Sequence, residues 1–389
     1  METLSAIMRG DLPPVGNPIT LTSRNHTAIE IPGYHFTWVN SGTSALALAL
    51  LAARKLKAHI REPEVIIPAY GCPDLVAACA FAKCKAKLVD IGREGWGYDL
   101  KELRQALSAN TLAVIGVTFL GIREDWPAIN SILSAYTDVV TIEDNAQWFP
   151  NLEEQNTFFT DFIVFSFGKG KPVSLLGGGA LLSRIPLANI DAHLAPTQND
   201  GQSTCALRAK FLLYNQLLKP SVYWFLNHNP IFTPGNTQYR ALDSIRALDR
   251  LRLDLLSANY VIYTRRKESA VNEYNEQFAR LNINCTIFFT DKSRIKRLLR
   301  YPFLCADRTA RDKLLQRLNQ NGLGATAMYR RPLVRLDCPP NFVDSALRQN
   351  NAASFADRLI TLPCHLGVTS KHIRKITQLI AEEMQLSKR

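Results

Sequence analysis

The chain has 389 residues, 47% of them hydrophobic and 21% charged, which suits a soluble globular protein with one large and one smaller domain. Residues 1–34 carry charges and prolines where a signal peptide would have an apolar run. No stretch reaches the roughly 18–20 apolar residues of a membrane span, so a cytoplasmic location is expected. The eight cysteines form no CxxC pair, which argues for free thiols and against a zinc site. The net charge of +12 comes without any nucleic-acid-binding signature, so solvated basic faces or an anionic substrate lead, ahead of a nucleic acid or a membrane surface.

An extended arm is expected over residues 1–35. From there to about 184 short β-rich runs alternate with helical stretches. Strands are expected at 36–39, 64–67, 87–91, 112–117, 139–143 and 162–165. Helices are expected at 44–55, 74–82 and 100–107. This alternation predicts an α/β domain on a mostly parallel sheet, with ligands at the carboxyl ends of the strands. An apolar, aromatic insert of about 205–235 follows, with basic residues Lys210 and Lys219, and its Tyr223, Trp224 and Phe225 suit ordinary packing, a cover over a site, a dimer contact, or contact with a membrane surface. A long helical stretch over 242–279 then leads to an α+β portion. Strands or strand edges are expected there at 297–303 and 325–328, and helices at 312–319 and 371–385. The large domain is thus set at 36–245, and the linking helix with the small domain at 246–389.

Three motifs fall at strand ends. Ser41, Gly42, Thr43 and Ser44 open an Ala/Leu-rich helix, where hydroxyls, free N–H groups and the helix dipole make an anion site; an ordinary N-cap would look the same. Glu143 and Asp144 end a buried-looking strand, and a carboxylate there stays ionised only with a partner, such as a pyridinium N–H; a strand-end aspartate capping the next turn would look the same. Lys171 lies just beyond the strand that ends near Ser166, in a glycine-rich turn with Lys169, where desolvation can make an amine nucleophilic. A helix-start phosphate cup, a strand-end aspartate and a glycine-flanked lysine, in that order, are what a pyridoxal phosphate (PLP) site requires.

With these pieces the chain resembles the DegT/DnrJ-type nucleotide-sugar aminotransferases from about residue 36 to the C-terminus. The resemblance is carried by residues 41–46, Ile67-Pro68-Ala69-Tyr70, Val89-Asp90-Ile91, Glu143-Asp144-Asn145-Ala146-Gln147, Phe165-Ser166-Phe167 with Lys171, Tyr239-Arg240, and residues 358–365. It implies the PLP-dependent transferase fold of type I, with a mostly parallel seven-stranded sheet between helices and a smaller C-terminal α+β domain. It further implies that Gly42, Thr43 and Ser44 with Ser166 hold the cofactor phosphate, that Asp144 pairs with the pyridine nitrogen, and that Gln147 contacts the ring. Lys171 would form the Schiff base and then move the proton between substrate and cofactor. Lys169 is its rival, because the following glycine turn is one residue shorter than usual.

The chain departs from the family where an aromatic commonly stacks on the ring: Cys72 stands there. Gln238 stands where the partner subunit of a homodimer with shared active sites usually supplies an asparagine. Arg330 and Arg331 lie where the small domain faces its substrate and are candidates for binding an anionic group. The implied reaction moves an amino group from an amino acid, glutamate being expected, to a nucleotide-linked keto sugar. The alternatives are transamination of a non-nucleotide ketone or aldehyde, and a non-catalytic regulator on the same fold. The related sugar dehydratases carry histidine in place of the Schiff-base lysine, and here the residue is Lys171.

Overall fold

The computed structural model describes residues 10–22, 29–93, 96–151, 158–198, 203–228, 238–266, 268–283, 295, 297–336, 343–344 and 349–386. Seven strands from the first half of the chain build the main sheet: β1 (His35–Val39), β2 (Glu64–Pro68), β3 (Lys85–Val89), β4 (Thr111–Val117), β5 (Val140–Asp144), β6 (Phe162–Ser166) and β7 (Gly179–Ser183). Their order is β1-β7-β6-β5-β4-β2-β3, and only β7 runs against the rest. The mostly parallel seven-stranded sheet is therefore present. An eighth strand, β9 (Val343–Asp344), comes from the C-terminal half and pairs with β3, whose edge would otherwise lie bare.

Side-chain alternation sends successive residues to opposite faces, so Phe162 and Val164 of β6 pack into one core while Ile163 and Phe165 pack into another. All seven residues of β4 are buried, as a central parallel strand covered on both faces requires. The first core includes the buried alanines and leucines of helix α1 (Gly42–Leu56) with Leu75, Val76, Ala78 and Cys79 of helix α2 (Asp74–Phe81), and continues into the C-terminal half. Helices α3 (Leu100–Ala106) and α4 (Trp126–Leu133) pack on the other face around Trp126. After the short α5 (Leu187–Ile190), the insert forms α6 (Thr204–Leu217) and α7 (Pro220–Asn227). Leu207, Phe211 and Tyr214 are buried, whereas Leu212, Leu213 and Phe225 are exposed. Residues 229–235 of the insert lie outside the described residues. No helix among the described residues is long and apolar enough to cross a membrane.

The long helix expected over 242–279 is instead two helices, α8 (Arg250–Arg265) and α9 (Ser269–Arg280), preceded by extended chain. The backbone of 246–248 is taken up by β1: Asn40 N–H donates to the Arg246 carbonyl at 2.9 Å, and Leu248 N–H to that of Trp38 at 3.3 Å. Helix formation starts only at Asp249, whose carboxylate accepts from Arg252 N–H. The C-terminal part contains β8 (Arg300–Leu304), α10 (Arg308–Gln320), α11 (Asn350–Arg358), β10 (Leu359–Pro363) and α12 (Ser370–Leu386), with β8 and β10 antiparallel. The strand expected at 325–328 is a single bridge between Thr326 and Thr361.

The described part of the N-terminal arm runs extended between the two halves of the chain. Arg300, 2% exposed, donates to Thr361 Oγ1 at 2.7 Å, to the Gly324 carbonyl at 3.0 Å and to the Pro14 carbonyl. His365 Nε2 lies 2.8 Å from the Pro13 carbonyl, and Gly367 N–H donates to Nδ1 at 3.1 Å. A carbonyl can only accept, so the ring is neutral with its proton on Nε2. Burial, aided by the nearby Arg300 and Arg266 charges, pushes the His365 pKa from 6.5 down to about 4 against the opposing Pro13 bond. The unfolded chain therefore binds this proton first. Stability is full above pH 6.5 and falls by up to about 3 kcal/mol as the pH drops to about 4. Melting measured across that window is expected to slope downward in the wild type and to be flatter in His365→Gln; equal slopes would show that His365 contributes nothing.

Candidate active site

The carboxyl ends of the parallel strands open on a cavity of about 290 Å³. At one wall Ser41 caps α1 from an extended conformation, its hydroxyl accepting from Ser44 N–H at 3.0 Å and lying 2.8 Å from Ser44 Oγ. Ser44 is fully buried in this capping pair and does not line the cavity, whereas Ser41, Gly42 and Thr43 do. Gly42 is required there: a β-carbon would lie 2.6 Å from Ser166 Cβ and 2.8 Å from its hydroxyl. Its absence lets the end of β6 close on the helix start and brings Ser166 into the same wall. An anion held there would meet the free N–H groups and positive dipole end of a fifteen-residue helix.

The strand end at β5 separates its two carboxylates. Glu143, fully buried, turns to one face and is gripped by Arg123 through two bonds of 2.7 and 2.8 Å. Asp144 turns to the other face and lines the cavity. Its Oδ1 accepts from Ala146 N–H at 2.9 Å, and among the described residues nothing donates to Oδ2. Burial raises its pKa, opposed by the Ala146 N–H and the nearby Lys171 ammonium. Gln147 is held by Leu120 N–H, which donates to its Oε1 at 2.9 Å, while Nε2 donates to Tyr329 Oη at 3.1 Å.

Both lysines of the glycine turn line the cavity, Lys169 exposed and Lys171 partly buried. The Lys171 charge acts on both Asp144 and Cys72. The turn closes through Lys171 N–H to the Gly168 carbonyl at 3.2 Å, with Gly170 at φ +74°. Burial, with the Asp74 carboxylate beside it, pushes the Cys72 thiol up to about 12, so it presents a neutral sulfur to the cavity. Gln238, Arg330 and Arg331 are exposed and do not line the cavity.

The sequence reading missed two aromatic residues of the cavity, Phe119 and Tyr329. Phe119 is fully buried and stacks on Trp96 with centroids 4.3 Å apart. It lies two residues past the end of β4, so the strand-end rule that located Asp144 could have found it. Tyr329 immediately precedes the two arginines that the sequence had singled out.

These parts fit PLP: a cup that a β-carbon at position 42 would fill, a buried carboxylate with an open oxygen for one N–H, and a lysine lining the same cavity. They define a PLP-dependent enzyme of fold type I. The chain belongs to the DegT/DnrJ/EryC1/StrS aminotransferase family, whose profile matches residues 33–211 and 239–381. It is 24% identical over 344 residues to a UDP-4-amino-4,6-dideoxy-N-acetyl-beta-L-altrosamine transaminase of Campylobacter jejuni, covering 87% of this chain and 82% of that one. A match to the GDP-4-keto-6-deoxy-D-mannose 3-dehydratase of Yersinia pseudotuberculosis, at 31% identity, spans only 111 residues, 28% of each chain. Among solved structures, a sugar aminotransferase of Streptococcus pneumoniae in its PLP form superposes with a TM-score of 0.67 at 18% identity, over 97% of this chain and 99% of that one.

Proposed function

We propose that the protein passes an amino group from an amino acid, glutamate by expectation, to a keto sugar, with PLP linked to Lys171. PLP supplies an electron sink for the carbon whose proton is moved. Gly42 and Thr43 at the start of α1, with Ser166, are proposed to hold its phosphate, Ser41 and Ser44 fixing that helix start. Asp144 would hold the ring nitrogen in its protonated form. Lys171, once released from the cofactor, would carry the proton between donor and acceptor carbons as a general base. Gln238, exposed and outside the cavity of its own chain, is proposed to serve the cavity of a second copy in a homodimer.

The observation that carries this reading is the convergence of Lys171 and Asp144 on one buried cavity. Lysine at 171 favours transamination over the dehydration catalysed by the shorter Yersinia match. The C. jejuni relative, matched over most of both chains, favours a nucleotide-linked acceptor, whereas Cys72 in place of a ring-stacking aromatic is what favours a non-nucleotide ketone. The test uses the purified, PLP-loaded protein. Glutamate is expected to convert it to the pyridoxamine form, and nucleotide-linked keto sugars to restore the original absorbance. Restoration only by non-nucleotide ketones would replace the substrate assignment. A protein that takes no PLP would sink the reading altogether.

A further inference from the structure

Tyr329 enters the cavity from the C-terminal half of the chain, and its backbone is anchored to the N-terminal half. The Tyr70 hydroxyl donates to the Tyr329 carbonyl at 3.0 Å and accepts from Tyr329 N–H at 3.3 Å. The two rings meet edge to face with centroids 5.5 Å apart. Just before it, Met328 sits at φ +50°, a left-handed conformation uncommon outside glycine.

The hydrogen-bond directions around Tyr329 are fixed by chemistry. Leu120 N–H can only donate, so the Gln147 atom it meets is the carbonyl oxygen. The other end of that amide is therefore NH₂, which can only donate, and the Tyr329 oxygen 3.1 Å away must accept. The phenol proton is thus directed elsewhere, and among the described residues no protein acceptor takes it. Tyr329 is 6% exposed, and burial pushes its ionisation well above the usual phenol range, so the proton stays in place. A buried donor without a partner is rare in a folded protein, and this one lines a ligand cavity.

We infer that the Tyr329 hydroxyl is a hydrogen-bond donor reserved for an oxygen of the ligand in this cavity, either the carbonyl or hydroxyl oxygen of the keto acceptor or the ring oxygen of the cofactor. Through it the C-terminal half of the chain takes part in recognition, a role that falls to Tyr329 instead of the exposed Arg330 and Arg331. The inference rests on the PLP-transaminase reading.

Tyr329→Phe keeps the ring and removes only the hydroxyl. Two measurements distinguish the sources of the oxygen. Binding of PLP to the cofactor-free variant weakens about tenfold if the cofactor supplies it. KM for the keto acceptor rises about tenfold, with the glutamate half-reaction unchanged, if the acceptor supplies it. The same substitution in a Gln147→Met background separates direct contact from an effect passed through Gln147. A tenfold cost that persists there supports direct contact, and one that vanishes overturns it. A Tyr329→Phe protein that melts as the wild type does and shows neither change also overturns the inference. Wild-type protein that fails to bind PLP would instead overturn the underlying reading.

Discussion

Lys171→Ala is expected to lower the rate of amino transfer by at least about 10⁴-fold, since in the proposed reaction it removes both the cofactor's covalent anchor and the general base. The visible absorbance of lysine-linked PLP should vanish with it. Lys169→Ala should stay within about tenfold of wild type and keep that absorbance, because a solvated lysine at the cavity rim contributes mainly a screened charge. The prediction separates two residues that line the same cavity only two positions apart. It rests on the partial burial of Lys171, on its field at Asp144 and Cys72, and on the exposure of Lys169. The opposite result, with absorbance lost in Lys169→Ala alone, would move the anchor to Lys169. The shape of the turn would then need revision, because Gly170 presses against the arm: a β-carbon there would lie 2.8 Å from Val15 Cγ2.

That Lys171, Asp144 and Ser166 line one cavity was legible in the sequence because each depends on a local feature, the end of a strand. A strand announces itself by a run of β-rich residues, and a parallel sheet puts its ligands where those runs stop. What was not legible depends on partners distant in the chain. The Leu/Arg-rich stretch before Asp249 has the composition of the helix after it, but β1 claims its backbone bonds. The two residues of β9 carry no pattern of their own and are strand only because the β3 edge is there. Ser44 reads as a phosphate ligand from its neighbours, yet its hydroxyl is spent on Ser41, a choice between two adjacent serines that spacing does not make. Tyr329 enters the cavity through Tyr70, 259 positions away in sequence, and Gln147. The strand-end part of the cavity is therefore readable from motifs, and the part around Tyr329 is assembled by long-range packing.

Asp144→Asn is expected to reduce turnover about 10³-fold, equivalent to roughly 4 kcal/mol of barrier, while leaving the fold intact. The amide oxygen of asparagine can still accept from Ala146 N–H, so the one protein bond that Asp144 Oδ1 makes is kept. What is lost is the negative charge. In the wild type, burial disfavours that charge and raises the pKa, and the Lys171 ammonium is among the groups that oppose the rise. With PLP bound, the ring N–H would supply a partner for this carboxylate, and the carboxylate would in turn keep the ring protonated as an electron sink. Asparagine cannot hold a ring proton electrostatically, so the pH at which the bound cofactor loses it should fall in the variant. Asp144→Ala should also melt lower, by about 1–3 kcal/mol of stability, because it leaves the Ala146 N–H unpartnered. An Asp144→Asn protein with wild-type turnover and an unshifted cofactor titration would show that the charge at β5 does not serve the ring. The buried carboxylate would then have only a structural role.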